Sequence, residues 1–249
     1  MKLVAAHWEK RNLGVSCTEI VAEPADTVAD ARAAVRRLDD DYLVAKIAVP
    51  RVDLLLFFQE MGFAAIEVVV RIKMRLREVT FPRLYQRYEK HLSFRQAQDD
   101  DVRRILAEIQ AGVFATDRIS LDPHFTPTQA ANRYRHWVED ELNRNSKAFV
   151  TTYKSDDIGF SVLRNDGEGR FNGLFGALYL EKKNSALGFA IGWANIMKAK
   201  ELGGTTIETT VSTNNLAALK MNLSIGYEVA DILYVLVRHG GTPRGGAAG

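Results

Sequence analysis

The chain has 249 residues, 47% hydrophobic and 26% charged, enough apolar chain to bury a sizeable core. Its 33 basic and 31 acidic residues leave a formal charge of +2, which gives no electrostatic footprint for nucleic acid. A single cysteine, Cys17, excludes an intrachain disulfide and a Cys-based metal cluster, and no apolar run nears the roughly 20 residues a membrane helix needs.

Lys2, His7, Glu9, Lys10 and Arg11 leave no apolar stretch for a secretion signal, so the expected location is the cytoplasm. Asp26–Leu38 carries Val28, Ala31, Val35 and Leu38 at helical spacing. Tyr42–Val49 alternates as a strand does, and Pro50 ends it because proline cannot donate to a ladder. Asp53–Met61 is a second helix, stopped by Gly62 in the manner of a left-handed cap. Ala65–Leu76 reads as a long β-branched strand with a basic face.

Pro82 and a run of charges interrupt the pattern between residues 78 and 91, which divides the chain into units 1–85 and 88–239. Leu92–Ala97 is strand-like. Asp99–Phe114 is an amphipathic helix with acids in its first turn, where the helix dipole favours them. Thr126-Pro127-Thr128 announces a helix to Leu142. Strands are expected over Lys147–Tyr153, Asp157–Leu163 and Phe171–Leu180, with Asn165-Asp166-Gly167 as a turn between the last two. A helix over Ala186–Leu202 closes at Gly203-Gly204. Strand Ile207–Ser212, helix Leu216–Ile225 and strand Val229–Val237 follow. The stretch 240–249 cannot bury apolar surface and is expected to form a flexible tail.

A weak internal repeat runs through this order. Laying Gly62 on Gly226 (226 − 62 = 164) brings Tyr42–Leu76 onto Thr206–Gly240, with Phe63 on Tyr227 and Phe57 on Met221. Either any strand–helix–strand unit closed by Gly-aromatic looks this way, or the N-terminal unit repeats half of the C-terminal one.

The stretch Phe171–Tyr234 carries the chemistry. Asn215-Leu-Ala-Ala218 followed by Gly226-Tyr227 matches the N-x-x-A…G-[FY] spacing, and in its order of elements the stretch resembles the acyl-coenzyme A half of GNAT acetyltransferases. The resemblance implies an α/β chain with a mixed sheet splayed at the CoA site. It aligns Lys183-Asn184-Ser185-Ala186-Leu187-Gly188 with the family's pyrophosphate turn, Ala186 standing for its first glycine. Free N–H groups at a helix start form a ready anion site there. By the same resemblance, backbone at Ala177, Leu178 and Tyr179, with Leu180 beside them, pairs with the pantetheine arm as an added strand does. Asn215 and Ala218 complete the implied acyl-CoA contacts.

The family's tyrosine general acid falls on Asn222, and an amide has no proton to give a thiolate. The family's usual carboxylate position shows Phe171, Asn172 and Gly173, so no base is visible there. Tyr179, His124 and Glu181 stand as acid–base candidates beside Asn222. Alternatively, water relays the protons, or the domain only binds.

His7-Trp8-Glu9-Lys10-Arg11-Asn12-Leu13-Gly14-Val15, Asp122–Pro127, Tyr134–Glu139 and Ala217–Lys220 narrow the likeness. With them the whole chain resembles the dTDP-fucosamine (dTDP-4-amino-4,6-dideoxygalactose) acetyltransferase family. That resemblance implies acetyl-CoA or another acyl-CoA as co-substrate, no metal, and a small-molecule amine acceptor, in particular a nucleotide-linked amino sugar. A homodimer is the assembly it allows, without nucleic acid or membrane as partner. An amino acid, peptide or natural-product amine stays open as acceptor, as does a non-catalytic acyl-CoA sensor. Trp8, Tyr134 and Trp137 read either as packing residues or as a platform for the acceptor's ring.

Overall fold

The computed structural model describes residues 1–77 and 79–240; the expected tail at 241–249 lies outside the described residues. The order is β1 (Lys2–Ala5), α1 (Trp8–Leu13), β2 (Cys17–Val21), α2 (Val28–Arg36), β3 (Tyr42–Ala48), α3 (Val52–Glu60) and β4 (Ala64–Arg75). After a short 3-10 turn and α4 (Gln86–Glu89) come β5 (Leu92–Gln96), α5 (Asp99–Gln110), α6 (Arg118–Leu121) and α7 (Pro127–Leu142). The chain continues through β6 (Ser146–Tyr153), β7 (Asp156–Gly167), β8 (Arg170–Leu178), α8 (Gly188–Glu201), β9 (Thr206–Ser212), α9 (Leu216–Ser224) and β10 (Glu228–His239).

Local chemistry sets these boundaries. Thr126 accepts from the backbone of Gln129 while the Gln129 side chain accepts from Thr126 N–H, and Pro127 takes the first helical position of α7. Gly62 (φ 81°) and Gly226 (φ 107°) follow α3 and α9 in left-handed backbone that a Cβ would strain. The sequence expected a helix to Phe114, but α5 ends at Gln110, where Gly112 (φ 89°) turns the chain. The expected strand to Leu180 ends at Leu178, and Leu180–Lys182 winds into a 3-10 turn. The sequence reading proposed no element before Asp26, yet β1, α1 and β2 occupy residues 2–21. These elements are too short for either hydrophobic period to register.

All ten strands join one sheet in the order β1-β2-β3-β10-β4-β9-β8-β7-β6-β5. Only β2–β3 and β8–β9 pair in parallel; the other neighbours are antiparallel. The internal repeat is present: β3-α3-β4 and β9-α9-β10 have the same lengths, every boundary offset by 164 positions (206 − 42 = 164). The two units exchange strands. β10 enters between β3 and β4, and β4 between β10 and β9, so the units expected as 1–85 and 88–239 share one sheet.

Apolar side chains fill both faces. Leu54, Phe57, Phe58, Phe63 and Leu236 pack the N-terminal unit, while Phe171, Phe189, Trp193, Ile207 and Tyr227 pack the C-terminal one. No helix among the described residues is long and apolar enough to cross a membrane.

Candidate functional site

The parallel pair β8–β9 is joined only through Arg170, Phe171 and Asn172 against Thr206, Ile207 and Glu208. Beyond that point Thr209 Oγ1 still donates to the Gly173 carbonyl at 2.7 Å, and then the strands separate. The wedge opens into a cleft of about 1230 Å³ whose walls include Gly173–Leu178 of β8 and Thr209–Ser212 of β9. An unpaired strand edge inside a cleft can hydrogen-bond an extended ligand as an added strand.

The start of α8 borders the same cleft. Lys183, Ser185 and Gly188 line it, whereas Asn184, Ala186 and Leu187 do not. Leu187 stands at the N-cap without a side-chain cap bond, so the first N–H groups of α8 are not covered by a side-chain oxygen. A Cβ on Gly188 would meet nothing within 4 Å, so that position is open to a ligand. Leu178 and Leu180 line the cleft as well, and Leu180 N–H is held by Glu108 at 2.7 Å.

Asn215 caps α9: its Oδ1 accepts from Ala218 N–H at 3.1 Å, which explains the N-x-x-A spacing as a cap reaching three residues on. Both residues line the cleft. Asn222 lies one turn further along α9, 8% exposed, and donates from Nδ2 to the Ala218 carbonyl at 2.9 Å. Its side chain faces Gly192 of α8, where an added Cβ would come within 3.1 Å of Oδ1.

Three acid–base candidates from the sequence fall elsewhere. The Tyr179 side chain is fully buried between β8 and α5, with the Arg104 guanidinium 3.7 Å from its ring centroid, and does not line the cleft. Burial pushes its phenol up to about 12. His124 lines a second, smaller cleft with His239, and both imidazoles face Asp122. Glu181 is exposed and paired with Arg104 at 3.1 Å. The reason is geometric: the chain turns at Tyr179, so β8's alternation aims that side chain into the core.

The sequence reading missed Glu67. It projects from β4, the N-terminal unit's strand beside β9, and lines the large cleft with Ser212. Its residue is 8% exposed and Oε2 accepts from Arg118 N–H at 3.1 Å. Burial raises its pKa, against the lowering influence of Ser212 and Arg118. A carboxyl raised in this way holds a proton more readily than an exposed one. Only the strand exchange brings it to the β8–β9 wedge, so no local motif marked it.

Beside Glu67 runs a buried ion network. Glu9, fully buried, accepts from Arg133 Nε at 2.8 Å and Arg118 Nη2 at 3.1 Å, while Arg118 also donates to Glu19 at 3.0 Å. Burial would raise the Glu19 carboxyl, but Arg118 and Lys46 outweigh it and hold it low. The Trp8-Glu9 motif therefore serves to fasten α1 to α6 and α7. Trp8 and Trp137, 42% and 38% exposed, both line the large cleft, so they are wall residues and not core. Phe175 meets the Trp137 ring edge-on at 4.6 Å.

No protein-family model matches the chain, and no curated protein matches it. Solved structures do. A GCN5-related N-acetyltransferase from Sphaerobacter thermophilus superimposes with a TM-score of 0.57 at 10% identity, covering 80% of this chain and 59% of that one. A tandem GNAT protein from the clavulanic acid biosynthesis pathway gives 0.54 at 14% identity, covering 92% and 78%. A glucosamine N-acetyltransferase region of a fungal multi-domain β-N-acetylglucosaminidase gives 0.60 at 14% identity, covering 95% and 31%. At such identities the likeness establishes the fold: the chain has the GNAT fold, with an N-terminal unit that repeats half of it.

Proposed function

We propose that the protein is an acyl-CoA-dependent N-acyltransferase, with acetyl as the acyl group and a small amine as acceptor. The observation that carries this reading is the wedge between β8 and β9, which opens beyond Asn172 with the start of α8 at its mouth. An acyl-CoA fits the chemistry of these walls. Lys183 and the α8 N–H groups suit its pyrophosphate, and the unpaired edge of β8 suits the amides of its pantetheine.

The reaction forms an N–C bond and breaks the C–S bond. Glu67 takes the proton from the amine, its raised pKa keeping it a competent base near neutral pH. The leaving sulfur has a thiol pKa near 8.5, so departure as the anion is not prohibitive. Asn222 has no proton to offer. Tyr227 lines the cleft beyond it, but burial raises its phenol further above the thiol, so the sulfur leaves as the anion and takes its proton from water.

The acceptor we favour is an amino sugar on a nucleotide carrier. Supporting it are the motifs shared with the dTDP-fucosamine acetyltransferase family and the two tryptophans on the cleft wall, which suit a ring. An amino acid or natural-product amine is the competing acceptor. The test is to incubate the protein with acetyl-CoA and a panel of nucleotide-linked and free amino sugars, amino acids and polyamines, following thiol release. Release with the nucleotide-linked amino sugars supports the reading. Tight acetyl-CoA binding with no release across the panel would support a sensor instead.

A further inference from the structure

The second cleft lies apart from the wedge, between the end of α1 and the end of β10. It holds about 670 Å³, and its lining carries Asp41, His124 and His239 and, among the described residues, no lysine or arginine. Asp122 lies behind the two imidazoles and bonds to both. The Asp122 side chain is 1% exposed, and its hydrogen-bond partners are two imidazoles and one backbone N–H. Oδ1 faces His124 Nδ1 at 3.1 Å and the His124 N–H at 3.0 Å; Oδ2 faces His239 Nε2 at 2.8 Å. A buried carboxylate needs a countercharge, and among the described residues the groups that face this one are the two imidazoles.

The geometry points to a divalent-cation site formed by Asp122, His124 and His239, for a borderline ion of the zinc or cobalt class. The three ligand atoms lie within 4.8 Å of one another. Donors held at about 2.0–2.2 Å by one ion sit some 3.3 Å apart, close to the distances here. Two imidazoles and a carboxylate suit zinc-class ions, whereas magnesium and calcium ask for oxygen alone. Two imidazole nitrogens and a carboxylate oxygen converge there, a donor set that one cation can share. The rings stack at 3.7 Å with 18° between their planes, so one must turn for its lone pair to reach a shared ion. His124 has room to do so, its side chain being 61% exposed, while His239 packs at tilted angles against the rings of Tyr42 and Phe125. Asp41, on the same cleft and held low by hydrogen bonds from Ser16, adds a second negative charge at the entrance. The site ties the last residue of β10 to the turn before α7.

The test is titration of chelator-treated protein at pH 7.5 with Zn²⁺ by calorimetry and with Co²⁺ by visible absorption. One ion per chain is expected, with cobalt bands characteristic of nitrogen ligation. Asp122→Asn and His239→Ala abolish it. The exposed His124→Ala, which leaves the fold intact by thermal melt, weakens it about tenfold or more. No heat and no spectral change up to millimolar metal would overturn the proposal, as would metal binding that all three variants retain unchanged.

Discussion

Val69 of β4 and Leu233 of β10 pair directly across the sheet, and they are the same position of the repeat, 164 residues apart (233 − 69 = 164). The neighbouring registers obey the same symmetry: Ala48 pairs with Leu233 as Ser212 pairs with Val69. The sheet's centre is thus a pseudo-twofold axis. Its two sides differ in one pairing: β2 and β3 stay paired from Cys17 to Val21, whereas β8 and β9 part after Asn172. Before α2, moreover, stand Glu23 and Asp26 in place of the basic turn before α8.

Glu67 sits two residues from that axis, and its carboxyl is raised by burial. The rate with wild-type protein should rise with pH through a value above the ordinary carboxylate range, as the base loses its proton. Glu67→Gln should lose that rise and about 10²–10⁴-fold in kcat/KM. A raised folded-state pKa also means stability present below the unfolded value of about 4.3 and lost as pH rises through the folded one. Glu67→Gln should therefore melt higher than wild type at pH 7, with the gap closing below about pH 4. An unchanged rate profile in the variant would remove Glu67 from catalysis.

Gly188 separates charge from bulk at the α8 start. Nothing lies within 4 Å of a Cβ there, so Gly188→Ala should bind acetyl-CoA like wild type. Gly188→Asp should abolish measurable binding by setting a carboxylate against the pyrophosphate. Equal binding by both variants, measured calorimetrically, would place the pyrophosphate elsewhere.

Asn222 is held by the Ala218 carbonyl and packs on Gly192, so its amide is occupied within the helix. Asn222→Ala should cost little in rate. Asn222→Tyr, forced off Gly192 into the cleft, should match or exceed wild type. A collapse in Asn222→Ala with acetyl-CoA affinity intact would show that the amide orients a substrate.

Much of this architecture was legible because its periods are strong. The repeat showed in Gly62-Phe63 and Gly226-Tyr227, since only glycine fits the left-handed stop after each helix. The α8 turn and Asn215 were legible because helix starts have local signatures. Glu67 and the Glu9–Arg118 network were not, since strand exchange and burial bring together residues 51 and 109 positions apart. Tyr179 misled because sequence gives a residue's place along a strand but not the turn that reverses its face.

The Glu9–Arg118–Arg133 network fastens the two units, and removing one charge strands the others in the interior. Glu9→Ala should destabilise by about 3–5 kcal/mol, seen as a lower urea midpoint. A midpoint within error of wild type would mean that the network is solvated.

The most direct measurement is a calorimetric titration of the whole chain with acetyl-CoA, read for stoichiometry. The account predicts one molecule bound per chain, at the β8–β9 wedge, because β2 and β3 stay paired where β8 and β9 part. No binding at millimolar acetyl-CoA, or two molecules per chain, would contradict it.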